Sequence, residues 1–377
     1  MHSTFRLRHS LLAPTSAFLF AAIFLFMAAT IAGKPFWHAA EYSHWDSGLY
    51  LSIADYGYKI GNCEEVDGVL QHCNGNAAWF PLLSISIRAL SSLGLSPEAA
   101  GVLVSNTCFF VILLVLWNLL FPEGDKFRNF LALLLAAVFP GSVYYQNIFP
   151  ISLFLAGVLL SVYFIEHRKT AHAGLFGYLA AISYSTGLFF AGLFPLFFLA
   201  HRKIRWLKIR TSAAYCVAGV VVAGFVSVLA VQLYQTGRWD AFFLNQAEYG
   251  HGWNNPLFHL WDRIRPAVIE HRFGFSEAEY AQSLFVLVVM LLATLLVWIK
   301  RKVLTRVEWI LYAFCLIYWV MPHIVGGVLS MYRTESVLLP IVVILRRLRV
   351  GILFSLIVMA IYFKVALSTA FFAGSLM

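Results

Sequence analysis

The sequence contains little charge. Asp, Glu, Lys and Arg make up 12% of its 377 residues, about half of the share in a typical soluble domain. Hydrophobic residues make up 61% of the chain. This composition excludes a soluble globule, and the chain is predicted to be an all-α integral membrane protein that forms a single polytopic domain over residues 1–377.

Cysteine is also scarce, with five residues in the chain. Cys63 and Cys73 lie ten residues apart in a polar stretch, and we expect a disulfide between them in an oxidising compartment. Zinc binding is less favoured, because only His72 lies nearby as a further ligand. The other three cysteines lie in apolar runs and are interpreted as packing residues: Cys108, Cys216 and Cys315.

Long apolar runs take the place of the missing charge, and runs of about 18 or more such residues are typical of membrane-spanning helices. The four predicted spans between 129 and 200 are short or interrupted by Gly and Pro, so tilted or re-entrant helices are expected there. The N-terminal run resembles a secretory signal, but its apolar core is long enough to cross, which favours an uncleaved first span. About eleven spans are predicted, at 11–33, 98–121, 129–143, 150–165, 172–185, 187–200, 211–234, 282–299, 307–323, 326–345 and 350–370.

The positions of Lys and Arg predict the orientation of these spans. With the N-terminus in the cytoplasm, the cytoplasmic segments carry 18 of the 27 basic residues and four of the 18 acidic residues. The net charge of +9 is therefore explained by topology and gives no reason to propose a nucleic-acid partner.

Two longer polar segments, 34–97 and 235–281, both fall on the outer side. The first is predicted to hold two interfacial helices, one starting near Trp45 and the other near Trp79, with a hairpin over 59–77 between them. Polar residues collected on one face favour an enzyme that works at the outer membrane surface.

Asp46 follows the first span in the sequence HWDSGLY. A carboxylate at this boundary can act as a general base on a hydroxyl of a lipid-borne acceptor. The alternative is structural, with Ser43 as a helix N-cap and Asp46 as its partner in a capping box.

Four sequence landmarks, spread over residues 44 to 340, resemble those of the PIG-V family, the GPI mannosyltransferase II group with its bacterial relatives. In chain order they are HWDSGLYLSIADYGY, WFPLL, QAEYGHGW and SMYRTESVLLP. Two positions depart from the family pattern: Thr334 follows the arginine where an aromatic residue is common, and Tyr249 precedes a glycine where tryptophan is usual. The hairpin with the two cysteines is also longer than usual.

The resemblance implies a GT-C type glycosyltransferase with a GT-C-like arrangement of membrane helices. Its donor would be a polyprenyl- or dolichyl-phosphate sugar, with mannose as the expected sugar, and its acceptor a lipid-linked molecule that is not necessarily a GPI precursor. Asp46 matches the catalytic base of the family. The membrane would be the plasma membrane in a bacterium and the endoplasmic reticulum in a eukaryote. No Asp-x-Asp pair occurs in the chain, which argues against a metal-dependent nucleotide-sugar enzyme, so neither a metal nor another cofactor is expected.

Arg333 is the predicted ligand of the donor phosphate, because a charge in a membrane segment is costly and marks a functional site by default. A salt bridge to Glu335 or snorkelling is the alternative. Arg88 and Arg238 are predicted to assist in holding the phosphate. Asp55 and Asp240 are alternative candidates for the base.

Several residues are candidates for contacts with the sugar or the acceptor. Amides and indoles suit the edges and faces of sugars, and a turn predicted between the third and fourth spans carries further polar side chains. The candidates are Trp45, Gln246, Glu248, His251, Trp253, Tyr145 and Asn147.

A lipid or solute transporter, or a non-catalytic membrane subunit, is the alternative class of protein. Transporters usually contain internal repeats and paired broken helices at mid-membrane. The sequence contains no detectable repeat, and its outer-side ionisable residues gather at the membrane boundary. Both observations favour the enzyme.

Overall fold

The computed structural model describes residues 11–66, 69–121, 125–193, 211–249, 253–325 and 331–376. Its regular elements are predominantly α-helices, with one small β-hairpin. The helices are α1 Leu12–Ile31, α2 Ser47–Tyr56, α3 Leu82–Ser91, α4 Pro97–Val115, α5 Lys126–Ala137, α6 Ile151–Glu166, α7 Thr170–Ala181, α8 Thr211–Thr236, α9 Ala241–Ala247, α10 Pro256–Val268, α11 Ala278–Lys300, α12 Arg306–Val325, α13 Met331–Ser336, α14 Val342–Leu345 and α15 Val350–Phe372. The strands are β1 Ile60–Val66 and β2 Val69–Gly75.

Within the described residues, six helical segments are long and apolar enough to cross a bilayer, which agrees with a multi-pass membrane protein. They coincide with six of the predicted spans. The segments are Leu12–Ile31, Pro97–Asn118, Ala213–Thr236, Phe275–Lys300, Arg306–Val325 and Val350–Phe372.

The other predicted spans correspond to shorter helices. Helices α5 and α7 have 12 residues each and α6 has 16, or about 18 and 24 Å at 1.5 Å per residue. A bilayer core is about 30 Å thick. Residues 194–200 and 326–330 of two predicted spans lie outside the described residues, and the rest of the span at 326–345 is divided into α13, a 3-10 turn and α14.

Residues 138–150 form an irregular turn between α5 and α6, and all of them are buried. Gly141 has a φ of +73°, and a Cβ added there would lie 2.6 Å from the carbonyl oxygen of Tyr332, so only glycine fits. Irregular backbone within a membrane requires such a protein environment, because lipid offers no hydrogen-bond partners.

Lys364 of α15 holds this turn from one side. Its ammonium is buried and donates to Gln146 Oε1 at 2.7 Å and to the carbonyl oxygen of Ser142 at 3.2 Å. From the other side, Asn106 of α4 donates to the carbonyl oxygen of Gln146 at 2.9 Å. The turn is therefore fixed between two long helices.

In the first outer segment, α2 and α3 lie where interfacial helices are predicted, and the hairpin β1–β2 lies between them. Ser84 of α3 donates to the carbonyl oxygen of Tyr50 of α2 at 2.7 Å, which joins the two helices. Cys63 and Cys73 face each other in the hairpin and form the expected disulfide.

The two outer segments contact each other. Asn245 of α9 donates to the carbonyl oxygen of Cys73 at 2.9 Å and accepts from the backbone N–H of Ala78 at 2.7 Å. His72 of the hairpin contacts Glu248, just after α9. The hairpin therefore rests on the second outer segment.

A buried ion cluster lies at the N-terminal end of α12. Glu308 accepts from Arg346 at 3.0 Å and from Arg347 at 2.7 and 2.8 Å. It also accepts from Thr305 N–H at 2.7 Å and completes a capping box with that residue. The cluster ties the start of α12 to the chain that follows α14.

Candidate active site

A cavity of about 630 Å³ lies where the two outer segments meet the ends of the helices. Its wall is mainly aromatic and aliphatic, with a small polar region around Asp46 and Arg333. The lining residues are Trp45, Asp46, Tyr50, Ala78, Trp79, Tyr144, Phe149, Tyr184, Ser185, Thr186, Leu188, Phe189, Phe225, Phe242, Phe243, Gln246, Tyr249, Tyr318, Met321, Pro322, Val325, Met331, Arg333, Thr334 and Leu376.

Asp46 and Arg333 form an ion pair in this cavity although they lie 287 residues apart in the chain. Arg333 Nη1 donates to Asp46 Oδ2, and the side chains are 25% and 23% exposed. Helix α13 supplies the arginine, and the start of α2 supplies the carboxylate. Both candidates for chemistry predicted from the sequence therefore meet at one point that ligands can reach.

The start of α2 directs Asp46 into the cavity. Asp46 occupies the N-cap position but makes no side-chain hydrogen bond to the helix backbone. Trp45, just before it, has a φ of +55°, which is uncommon for a bulky residue and is often found at functional sites. Ser43 ends a separate 3-10 turn. The capping-box alternative for Ser43 and Asp46 is therefore wrong.

Arg333 has an aromatic neighbour beside its guanidinium. Its guanidinium carbon lies 5.9 Å from the ring centre of Phe149, and its buried Nε has no hydrogen-bond partner. Glu335 instead accepts a bond of 2.9 Å from Gln282. The alternative salt bridge between Arg333 and Glu335 is therefore wrong.

Three tyrosines, Tyr50, Tyr144 and Tyr184, line the cavity around the ion pair. Burial, and secondarily the charge of Asp46, raises the pKa of the Tyr50 hydroxyl, so this hydroxyl stays neutral at pH 7. It is a neutral hydrogen-bond donor next to the carboxylate. Tyr144 belongs to the turn over 138–150, which links the position of its ring to the contacts of Lys364.

Arg88 and Arg238 do not line the cavity, which corrects their predicted role as ligands of the donor phosphate. The guanidinium of Arg88 donates to the carbonyl oxygens of Ala54 and Asp55 at the end of α2, where such free acceptors attract cations. Arg238 forms a two-bond pair with Asp240 at 3.0 and 2.8 Å. Both arginines have local partners that satisfy their charge or hydrogen bonds.

The predicted sugar-contacting residues divide into two groups. Trp45 and Gln246 line the cavity. Glu248 pairs with His72, and Trp253 is 92% exposed and away from the described wall. His251 lies outside the described residues.

Tyr145 and Asn147 lie behind the wall and not in it. Tyr145 is buried and donates to the carbonyl oxygen of Ser336. Asn147 is fully buried. Alternation along the turn brings their neighbour Tyr144 to the cavity instead.

Sequence reasoning missed the aromatic residues of the described wall other than Trp45. Those with a hydroxyl or an indole N–H are Tyr50, Trp79, Tyr144, Tyr184, Tyr249 and Tyr318. Tyr50 could have been found, because it lies four residues after Asp46 and therefore on the same face of the helix. Trp79 and Tyr249 lie in two of the quoted landmarks. No signal in the sequence indicates Tyr184.

Among the described residues that line the cavity, Asp46 and Arg333 are the two with charged side chains, so the wall is close to neutral. No group of three or more His, Cys, Asp or Glu side chains within the described parts of the chain could hold a metal ion. The described wall offers one carboxylate, one guanidinium and several neutral hydroxyl and indole groups. This set can bind a phosphate and take one proton.

A scan against protein-family models and a search of curated proteins returned no match to this chain. The similarity to the PIG-V family therefore rests on the four sequence landmarks.

Proposed function

We propose that this protein is a membrane glycosyltransferase that moves a sugar, expected to be mannose, from a polyprenyl- or dolichyl-phosphate donor to a lipid-linked acceptor. The observation that carries the proposal is the pair formed by Asp46 and Arg333 in a largely apolar cavity. A lipid phosphate needs both a cation and apolar surface. The single carboxylate of the described wall is then available to the acceptor.

In this reaction the acceptor hydroxyl oxygen attacks the anomeric carbon of the sugar. The bond from that carbon to the phosphate oxygen breaks, and its electron pair stays on the phosphate. Asp46 takes the hydroxyl proton as general base, and Arg333 stabilises the charge that develops on the leaving phosphate. A single displacement of this kind inverts the anomeric configuration.

The aromatic wall suits the other parts of such substrates. Trp45, Trp79 and Tyr249 offer ring faces for a sugar. Phe225 and Phe242 offer apolar surface for the polyprenyl chain. Both surfaces line the same cavity as the ion pair. Their arrangement favours a substrate with a polar head and an apolar tail.

We further propose eleven spans, with the N-terminus in the cytoplasm and residues 34–97 and 235–281 outside. In this topology the short helices α5, α6 and α7 cross the membrane with local thinning of the bilayer. The cavity then opens on the non-cytoplasmic side. A cysteine introduced within 202–210 should not react with an impermeant reagent applied from outside.

The test of the activity is transfer from radiolabelled polyprenyl-phosphate mannose in membranes that contain the protein, with identification of the labelled lipid. Asp46→Asn should lower turnover at least a hundredfold, because general-base catalysis contributes about 10²–10⁴-fold. Asp55→Asn is the matched control: Asp55 is an exposed acid on the same helix and does not line the cavity. Near-normal transfer by Asp46→Asn, or equal loss in both variants, would contradict the assignment of the base.

A further inference from the structure

We infer that Asp46 occupies the phosphate site of the donor-free protein, and that the donor phosphate displaces it from Arg333. Both carboxylate oxygens of Asp46 would then be free of the arginine only after the donor has bound. This inference rests on the proposed function, because it takes Arg333 as the phosphate ligand and Asp46 as the base.

The first argument is the charge balance of the cavity. Its described wall contains one acidic side chain, Asp46, and one cationic side chain, Arg333, and these two are already paired with each other. The phosphodiester of a lipid-phosphate sugar brings another negative charge. With one guanidinium in the described wall, the phosphate and the Asp46 carboxylate compete for the same cation.

The second argument is the geometry of the arginine. Arg333 Nη1 is used by Asp46, while the buried Nε has no partner. A guanidinium has five N–H donors in a fixed plane and binds phosphates through two parallel bonds. With Phe149 beside it, the guanidinium can keep its position while its partner changes.

The third argument concerns the carboxylate. Of the two Asp46 carboxylate oxygens, Oδ2 accepts from Arg333, so release from the arginine frees the full acceptor capacity of the carboxylate for an acceptor hydroxyl. Asp46 is the N-cap residue of the ten-residue helix α2, and its side chain makes no hydrogen bond to the helix backbone. A released carboxylate remains at the N-terminus of α2, where the helix dipole favours negative charge.

The exchange would impose an order on the reaction. The donor binds first, the carboxylate is released, and the acceptor hydroxyl then meets a free base. Without the donor, the ion pair keeps Oδ2 of Asp46 on the arginine. Because the donor has to displace Asp46, it binds more weakly than it would bind to an unpaired Arg333.

The test is equilibrium binding of farnesyl phosphate to the purified full-length protein in detergent, followed by tryptophan fluorescence, since Trp45 and Trp79 line the cavity. Asp46→Asn should bind farnesyl phosphate at least about fivefold more tightly than wild type, the lower end of the range for coupled binding events. Asp55→Asn should bind like wild type. Arg333→Met should lose binding, and Arg333→Lys should regain part of it.

Asp46→Ala provides a second variant in case Asp46→Asn folds poorly, and thermal scanning of each variant identifies unfolded preparations. Unchanged or weaker binding by folded Asp46→Asn and Asp46→Ala would overturn the inference. Inorganic phosphate should bind much more weakly than farnesyl phosphate, because it makes no use of the apolar wall. Equal binding of the two would overturn the assignment to a lipid phosphate.

The binding result and the transfer result can fail separately. Tighter binding by Asp46→Asn without transfer activity in the wild type would support the exchange and refute the glycosyltransferase. Transfer that requires Asp46, without tighter binding by Asp46→Asn, would support the enzyme and refute the exchange.

Discussion

Replacing Glu308 by glutamine removes the negative charge that neutralises two arginines in the protein interior. The Glu308 side chain is 1% exposed and accepts from both Arg346 and Arg347, which are 7% and 25% exposed. Removing one partner of a buried pair costs about 3–5 kcal/mol. Because Arg347 keeps some contact with water, we expect the lower end, about 3 kcal/mol of unfolding free energy.

Glu166→Gln is the matched control. Glu166 is 34% exposed and pairs with Arg306 at 3.4 Å, and a pair of this kind contributes at most about 1 kcal/mol. Both variants can be compared with wild type by denaturant unfolding in micelles.

A double variant separates lost pairing from lost packing. Glu308→Gln combined with Arg347→Met should lower the unfolding free energy by less than the sum of the two single changes. Glu308→Gln leaves the charge of Arg347 uncompensated, and Arg347→Met removes that charge. If Glu308→Gln lowers the unfolding free energy no more than Glu166→Gln does, Glu308 does not stabilise the fold by neutralising the buried arginines.

Three further predictions concern the outer segments. Cys63→Ser with Cys73→Ser should lower the stability of the hairpin by about 2–3 kcal/mol, given its short loop, and mass spectrometry of unreduced wild type should detect neither as a free thiol. Hydrogen bonds to Glu248 and, secondarily, to Glu64 raise the pKa of His72 above 6.5. While both carboxylates are ionised, these contacts therefore stabilise the hairpin fully below pH 6.5 and less as the pH rises through the raised value. Hydrogen exchange over residues 69–75 should show that dependence, and His72→Gln should abolish it. Arg238→Ala should leave the KM for the donor unchanged in the transfer assay, whereas a raised KM would return Arg238 to the phosphate site.

The sequence predicted the parts of the fold that local pattern determines. The six long apolar helices appear as runs that only a bilayer or a protein interior accommodates. Their observed bounds lie within three residues of the predicted ones, except that the segment predicted at 282–299 begins at Phe275. The helices α2 and α3 follow from the spacing of their apolar residues. The disulfide follows from two cysteines in an otherwise polar hairpin.

Partners that come together only through tertiary packing were beyond the sequence. The spacing of residues gives no indication that Asp46 and Arg333 meet, because that contact depends on where α2 and α13 lie. For Arg88 and Arg238 the charge alone suggested phosphate binding, but short-range acceptors satisfy both side chains. Tyr184 reaches the cavity from an irregular segment, where no periodicity predicts which side faces inward.

Lys364 has a consequence for how the last helix enters the membrane. A lysine at the centre of a spanning helix costs about 2.5–3.5 kcal/mol on insertion, while each Leu, Ile, Phe or Val returns about 0.3–0.6 kcal/mol. Helix α15 has enough of these residues to insert before Lys364 meets its acceptors. After the helix has inserted, the ammonium reaches Gln146 and Ser142 in only one orientation of the helix about its own axis. The lysine therefore sets the angular position of a helix that is otherwise mostly apolar.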